Sequence, residues 1–137
     1  MRNRLILAGS GLLLAVSAPA FAQSGGTRGS VRGQDVNAGT SGYGSTDGRS
    51  ITVGGTAEAG AANGGTADTR TRAKVNDRRG MQTSTARARD DDERARSRTR
   101  TVVRQGEVVR SRTSTMYKQK GERPERTNEV YRSDKPN

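Results

Sequence analysis

Residues 97–115 have the sequence SRTRTVVRQGEVVRSRTST. Arginine alternates with serine or threonine on both sides of Gln105-Gly106, and this period of two is typical of β-strands. If Gln105-Gly106 forms a two-residue loop, Val103 faces Val108 and no arginine opposes another across the hairpin. An isolated hairpin is only marginally stable in water, so we expect this one to fluctuate.

The residues just before this hairpin allow two structures. Three pairs of opposite charge are spaced i to i+4, which favours a short helix at about residues 86–96. A helix of this length is shorter than the roughly 12 to 15 residues that an isolated helix needs to persist. The alternative is that Asp90–Glu93 forms the turn between two strands. The three pairs are Arg89 with Glu93, Asp90 with Arg94, and Asp92 with Arg96.

Residues 1–22 have the order of a secretory signal peptide: two arginines, an apolar run from Leu5 to Val16, and small residues up to Ala22. We expect cleavage between Ala22 and Gln23, with a cut after Ala20 as the alternative, and therefore a periplasmic or secreted protein. The apolar run is shorter than the ~20 residues of a membrane-spanning helix, so no transmembrane segment is expected in the mature chain. The sequence has no cysteine, which excludes lipid attachment at the cleavage site.

After residue 22 the chain has few side chains from which to build an apolar core, since it contains no Leu, Phe, Trp, Cys or His. Full burial of one apolar side chain gains about 1.5 to 3 kcal/mol, whereas ordering the backbone costs about 1 to 2 kcal/mol per residue. Low hydrophobicity with high net charge is the composition of disordered chains. We therefore predict a mostly disordered, low-complexity chain after the signal peptide. Any ordered part is expected to be a small antiparallel β-hairpin at about 97–115 and the helix or turn at about 86–96.

Composition divides the chain into four segments. Residues 1–22 are the predicted signal peptide, and residues 23–80, which hold most of the glycines, are predicted to be a Gly/Ser/Thr-rich disordered, linker-like region. Residues 81–120 form an Arg/Thr-rich basic segment that contains the candidate hairpin. Residues 121–137 carry four basic and four acidic side chains and are predicted to be a polar charged tail.

The basic charge is concentrated in one stretch. Removing the signal peptide lowers the net charge from +11 to +9, and between Arg94 and Lys120 there are nine cations and one acid, Glu107. Arginine binds phosphate and carboxylate groups through two parallel hydrogen bonds, so we predict that these side chains bind a polyanion. Expected partners are lipid phosphate, acidic polysaccharide or extracellular nucleic acid, rather than a small-molecule substrate. The predicted residues are Arg94, Arg96, Arg98, Arg100, Arg104, Arg110, Arg112, Lys118 and Lys120.

Two functions follow from these features. The first is an exported, small basic protein that associates electrostatically with an anionic envelope or extracellular polymer. The alternative is a structural or assembly protein whose Thr-rich strands pair with those of other copies. The sequence does not determine the oligomeric state.

Catalysis and metal binding have little support in the sequence. The chain lacks His and Cys and contains neither a nucleophile-elbow motif nor a phosphate-binding loop. We therefore expect no enzymatic activity and no cofactor. The acidic run Asp90-Asp91-Asp92-Glu93 offers oxygen ligands for Ca²⁺ but lacks the alternating ligand spacing of an EF-hand loop. Arginines flank this run on both sides, so we expect ion pairing there rather than a metal site.

Overall fold

Eight strands account for most of the residues that the structure describes. The computed structural model describes residues 23–47, 50–104 and 109–133. The predicted signal peptide, including Ala22 of its cleavage site, lies outside these ranges, and nothing in the described residues bears on export. The strands are β1 (Gln23–Arg32), β2 (Val36–Thr46), β3 (Ile51–Ala61), β4 (Thr66–Val75), β5 (Arg79–Arg89), β6 (Glu93–Arg104), β7 (Val109–Gln119) and β8 (Glu125–Arg132).

The strands form two antiparallel sheets that pack face to face. One sheet has three strands in the order β1-β2-β3, and the other has five in the order β4-β5-β6-β7-β8. Strand β2 packs on β6, β1 on β7, and β3 on β5. Strands that are hydrogen-bonded to each other are therefore consecutive in the sequence. The chain passes from the first sheet to the second between β3 and β4. No helix able to cross a membrane occurs within the described ranges.

The prediction of a mostly disordered, low-complexity chain is wrong. Residues 23–80, predicted to be a linker-like region, form β1 to β4 and the first residues of β5, and residues 121–137, predicted to be a tail, contribute β8. The prediction counted only large apolar side chains as core residues. The structure fills its interior mainly with small side chains and hydrogen-bonded hydroxyl groups.

Serine and threonine side chains occupy the middle of this interior. Thr99 is fully buried, and its hydroxyl shares hydrogen bonds with the hydroxyls of Thr113 at 2.6 Å and Thr40 at 2.8 Å. A buried hydroxyl costs free energy when it lacks a partner, and here each one has at least one. Polar side chains can therefore replace an apolar core at this place. The connected hydroxyls run in the order Ser97, Thr40, Thr99, Thr113, Thr27, Ser111 and Thr101.

Apolar side chains pack between the sheets on either side of these hydroxyls. Val103 and Val109 lie opposite each other and are both fully buried. Toward the other end of β6, a cluster of small apolar residues packs between the sheets. Its buried members are Val36, Ala38, Ala86, Ala88 and Ala95.

Glycine on the inner face of β2 allows the two sheets to approach closely. A Cβ atom built at Gly42 would overlap the Thr101 hydroxyl and lie 2.6 Å from Thr99 Cγ2. Atoms in close-packed interiors do not tolerate such overlap, so these side chains or the strands that carry them would have to move. Glycine at this position therefore serves packing and not flexibility.

The predicted hairpin at 97–115 forms, but its register differs by one residue from the predicted one. Val103 lies opposite Val109 and Arg100 opposite Arg112, so the expectation that no two arginines are opposed is wrong. The predicted loop residues Gln105-Gly106 and Val108 lie outside the described residues. A shift of one residue exchanges the faces of a strand. The observed register collects the serines and threonines of both strands on one face and the arginines on the other.

The helix at residues 86–96 does not form, and the turn alternative is the correct one. Strand β5 ends at Arg89 and β6 begins at Glu93. Between them, Asp90 Oδ1 accepts hydrogen bonds from the backbone N–H groups of Asp92 at 2.8 Å and Glu93 at 2.5 Å. An aspartate at the start of a turn commonly makes this bond to its own backbone. The aspartate stabilises the turn, and the i to i+4 ion pairs are not made.

Candidate anion-binding site

Strand alternation gives the five-stranded sheet one face that points away from the three-stranded sheet. In β6, residues alternate between buried and exposed, with Thr99 and Thr101 inside and Arg98 and Arg100 outside. Directly paired residues of neighbouring antiparallel strands share a face, so the pairing of β4 to β8 identifies every outward position.

We call the outward side chains with positive charge the cationic face. It contains sixteen exposed cations from all five strands, fourteen of them arginine. Asp68 is the one acid on the same face among the described strand residues. The members of the cationic face are Arg70, Arg72, Lys74, Arg79, Arg87, Arg89, Arg94, Arg96, Arg98, Arg100, Arg104, Arg110, Arg112, Lys118, Arg126 and Arg132.

Eight of the nine cations predicted from the sequence lie on this face. Lys120 does not: it lies in the turn after β7, where its Nζ is 3.5 Å from Asp92 Oδ1. The prediction missed eight further cations because it took the uninterrupted basic stretch as the site. The same alternation that marked β6 is visible at Arg70, Arg72 and Lys74 of β4 and would have found those three.

Eleven of the sixteen cations of this face lie directly opposite another cation on a neighbouring strand. Arg100 is paired with Arg112, and Arg87 with Arg96. Within the part of the chain that the structure describes, none of the sixteen forms an ion pair. Like charges directly opposite each other destabilise a sheet. The folded protein therefore holds unneutralised positive charge in close proximity.

A groove crosses the cationic face. Its volume is about 900 Å³, and arginines from β5, β6, β7 and β8 line it. The side chains of Val102, Ser114 and Met116 also line the groove between the arginines. The arginines can therefore surround an extended anionic chain from several sides.

No aromatic ring lies on the cationic face among the described residues. Tyr43 is on the outer side of the three-stranded sheet and is 56 % exposed. Tyr131 is on the inner side of β8, where its hydroxyl donates to the carbonyl of Ser24 at 2.8 Å. Any ligand on this face must be bound without stacking on an aromatic side chain.

A second group of ionisable side chains lies at the end of the sandwich. Glu93 is buried, and its carboxylate accepts hydrogen bonds from the Tyr117 hydroxyl at 2.6 Å and from the backbone N–H groups of Asp35 at 3.0 Å and Gln34 at 3.2 Å. These donors, Tyr117 foremost, hold the pKa of Glu93 below its usual value although burial opposes the shift. The same contact raises the pKa of Tyr117 to about 12. Together these bonds join the β1–β2 turn to β6 and β7.

Carboxylate oxygens of Asp35, Asp90 and Glu93 lie within 4.8 Å of one another. The backbone and Tyr117 donors already account for Glu93, and the turn before β6 accounts for Asp90. The expectation that the acidic run binds no metal is not tested by this geometry. Hydrogen bonds within the protein thus account for two of the three carboxylates, those of Asp90 and Glu93.

This chain matches no protein-family model, no curated protein sequence and no solved structure.

Proposed function

We propose that this protein binds an anionic polymer through the cationic face. The observation that supports the proposal is the collection of sixteen exposed cations on one side of one sheet, with no ion pair among the described residues to neutralise them. Charges that serve only solubility need not share a face, and their mutual repulsion costs stability. An anionic polymer lying on the face would remove that cost.

Arginine suits this role better than lysine. Its planar guanidinium donates two parallel hydrogen bonds to a phosphate, sulfate or carboxylate group. Fourteen of the sixteen cations are arginine. When a polyanion binds this face, its counterions are released into solution and gain entropy. The logarithm of the binding constant then falls linearly with the logarithm of the salt concentration.

The test compares two matched double variants of the full chain. Arg98→Thr with Arg100→Thr removes two charges from the cationic face, whereas Arg28→Thr with Arg32→Thr removes two exposed charges from the outer side of β1. Inorganic polyphosphate serves as a simple polyanion, titrated at about 50 and about 300 mM salt.

We expect the variant of the cationic face to lower both the affinity and its salt dependence, while the β1 variant changes either one only slightly. Equal losses from the two variants would show that total charge, and not this face, governs binding. Absence of binding at low salt would contradict the proposal altogether.

The alternative function, assembly through Thr-rich strands, would need free strand edges. Strands β5, β6 and β7, which carry the six threonines of the Arg/Thr-rich segment 81–120, are each paired on both sides within the sheet. The threonine hydroxyls of β6 and β7 are used inside the protein. No feature of the described residues favours this alternative over the first function.

A further inference from the structure

The cations of the cationic face are arranged in rows across the strands, and one central row carries only one cation between β5 and β8. In that row Thr85, Arg98, Ser114 and Asn128 follow one another from β5 to β8. Successive rows are two residues apart along each strand, which is about 7 Å. On β4 the row ends at Arg70, which is paired with Thr85. Between β5 and β8 the central row thus offers two hydroxyl groups and an amide beside a single guanidinium, that of Arg98.

Rows rich in arginine lie on either side of it. One contains Arg72, Arg100 and Arg112. The other contains Arg87, Arg96 and Arg126, and ends on β4 at Asp68, which is paired with Arg87. These two rows are four residues apart, or about 13 to 14 Å along the strands. Between β5 and β8 the flanking rows therefore carry two and three arginines, whereas the central row carries one arginine and three neutral hydrogen-bonding side chains.

The polar groups of the central row are unused by the protein. Among the described residues, the side chains of Thr85, Ser114 and Asn128 make no hydrogen bond, whereas the hydroxyls on the opposite face of the same strands are bonded to one another. Ser114 and Arg98 line the groove. Free donors and acceptors placed beside a binding groove are suited to the uncharged polar groups of a ligand.

We infer that the polymer bound here is an acidic polysaccharide, whose acid groups contact the arginine rows and whose hydroxyl groups contact Thr85, Ser114 and Asn128. This inference rests on the proposed function and adds the chemical class of the ligand. A sugar chain carries acid groups and hydroxyl groups on the same backbone. It therefore matches both kinds of row.

Single-stranded nucleic acid fits the face less well. Proteins that bind it stack the bases on aromatic rings, and the described residues place no aromatic ring on this side of the sheet. Duplex DNA and polyphosphate can be bound by charge alone, but they would leave the central row without a role.

The experiment uses a triple variant that keeps every charge: Thr85→Val, Ser114→Ala and Asn128→Ala. Its matched control is Thr52→Val, Ser45→Ala and Asn37→Ala, which removes the same groups from the outer side of the three-stranded sheet. The full chain and both variants are titrated with polygalacturonate, polyphosphate and duplex DNA at about 50 and about 300 mM salt. Circular dichroism confirms that each variant is folded.

We expect the central-row variant to lose about tenfold in affinity for polygalacturonate, because net hydrogen bonds are individually modest. Its affinity for polyphosphate and its salt dependence should not change, and the control variant should behave as the original chain does. An unchanged affinity of the central-row variant for polygalacturonate would overturn the inference while leaving the proposed function intact. The same holds if the original chain binds duplex DNA more tightly, per ligand charge, than it binds polygalacturonate. If none of the three polymers binds, the proposed function itself is wrong.

Discussion

Arg100 on β6 and Arg112 on β7 lie directly opposite each other on the outer side of the five-stranded sheet. One residue earlier on β6 and one later on β7, Thr99 and Thr113 are also opposite each other, and their hydroxyls share a hydrogen bond of 2.6 Å inside the protein. The same register thus creates repulsion outside and a hydrogen bond inside. Its stability depends on the interior interactions exceeding the exterior cost.

Replacing Arg100 with threonine is expected to stabilise the free protein. The change removes a like charge facing Arg112, and cross-strand pairs of this kind contribute roughly 0.2 to 1 kcal/mol. The free energy of unfolding, measured with urea, should rise by about that amount while affinity for polyphosphate falls. Arg28→Thr is the control because Arg28 faces Ser41 and no cation. A loss of stability in Arg100→Thr would contradict the repulsion.

Added salt is expected to act in opposite directions on folding and on binding. Salt screens charges that are exposed, with a Debye length of about 10 Å at 0.1 M. The melting temperature of the free protein should therefore rise between about 20 and about 300 mM sodium chloride, while polyphosphate affinity falls. Thermal unfolding followed by circular dichroism measures the first effect. A melting temperature that falls with salt would show that net attraction, not repulsion, governs the surface.

Thr113→Val tests the hydroxyl interior. The substitution keeps the shape of the side chain but leaves the hydroxyls of Thr99 and Thr27 each with one partner fewer. Loss of a partner for buried polar groups costs about 1 to 3 kcal/mol. Urea unfolding should report that loss, and Thr83→Val, on the outer face of β5 and without a hydrogen bond among the described residues, should be nearly neutral. Equal stability of the two variants would mean that the interior hydroxyls contribute nothing.

Gly42→Ala tests the close approach of the sheets. Its new methyl group would overlap the Thr101 hydroxyl, and overpacking of an interior costs typically about 1 to 3 kcal/mol. Gly39→Ala is the control, since its Cβ would lie 3.4 Å from the nearest atom, Ser30 Cβ, on the outer side of the same strand. Melting temperatures of the two variants should separate clearly. Similar values would indicate that the sheets are not tightly packed at Gly42.

Stability is expected to fall at both extremes of pH because of Glu93 and Tyr117. The pKa of Glu93 is lowered from 4.5 by folding, so its contribution is present above that pH and is lost as pH falls through the lowered value. The pKa of Tyr117 is raised from 10.0 to about 12, so its contribution is complete below pH 10 and is lost as pH rises toward 12.

The urea concentration at the unfolding midpoint, measured from acid pH to about pH 12, tests both the loss of stability at low pH and the loss at high pH. Tyr117→Phe should weaken the alkaline dependence between pH 10 and 12 and also reduce the acid limb, because Tyr117 is the leading cause of the Glu93 shift. An unchanged alkaline limb in this variant would assign the effect to another group.

The period of two in residues 97–115 was sufficient to predict two antiparallel strands, and it placed arginine and threonine on alternating positions. It was not sufficient to predict the register, because a loop of two residues and the observed connection from Arg104 to Val109 are both compatible with the pattern. The difference decides whether Arg100 faces Ser111 or Arg112, and thus whether the arginines form one face.

The prediction that the chain is mostly disordered was wrong for a related reason. Composition shows how few large apolar side chains there are, but it does not show that Thr27, Thr40, Thr99 and Thr113 become hydrogen-bond partners. These residues are far apart in sequence: Thr27 and Thr113 are separated by 86 positions. A hydroxyl group is favourable in an interior only when its partner is in place, and the partner is supplied by another strand.

The amino-acid sequence by itself determined the strong positive charge, the abundance of arginine, and the strand character of residues 97–115, because these properties depend on residue type and local spacing alone. The tertiary structure decided that five strands combine their cations on one face and that hydroxyl groups form the interior. Both outcomes depend on the pairing of distant strands in one register, since a shift of a single residue would turn the arginines of a strand inward and its threonines outward.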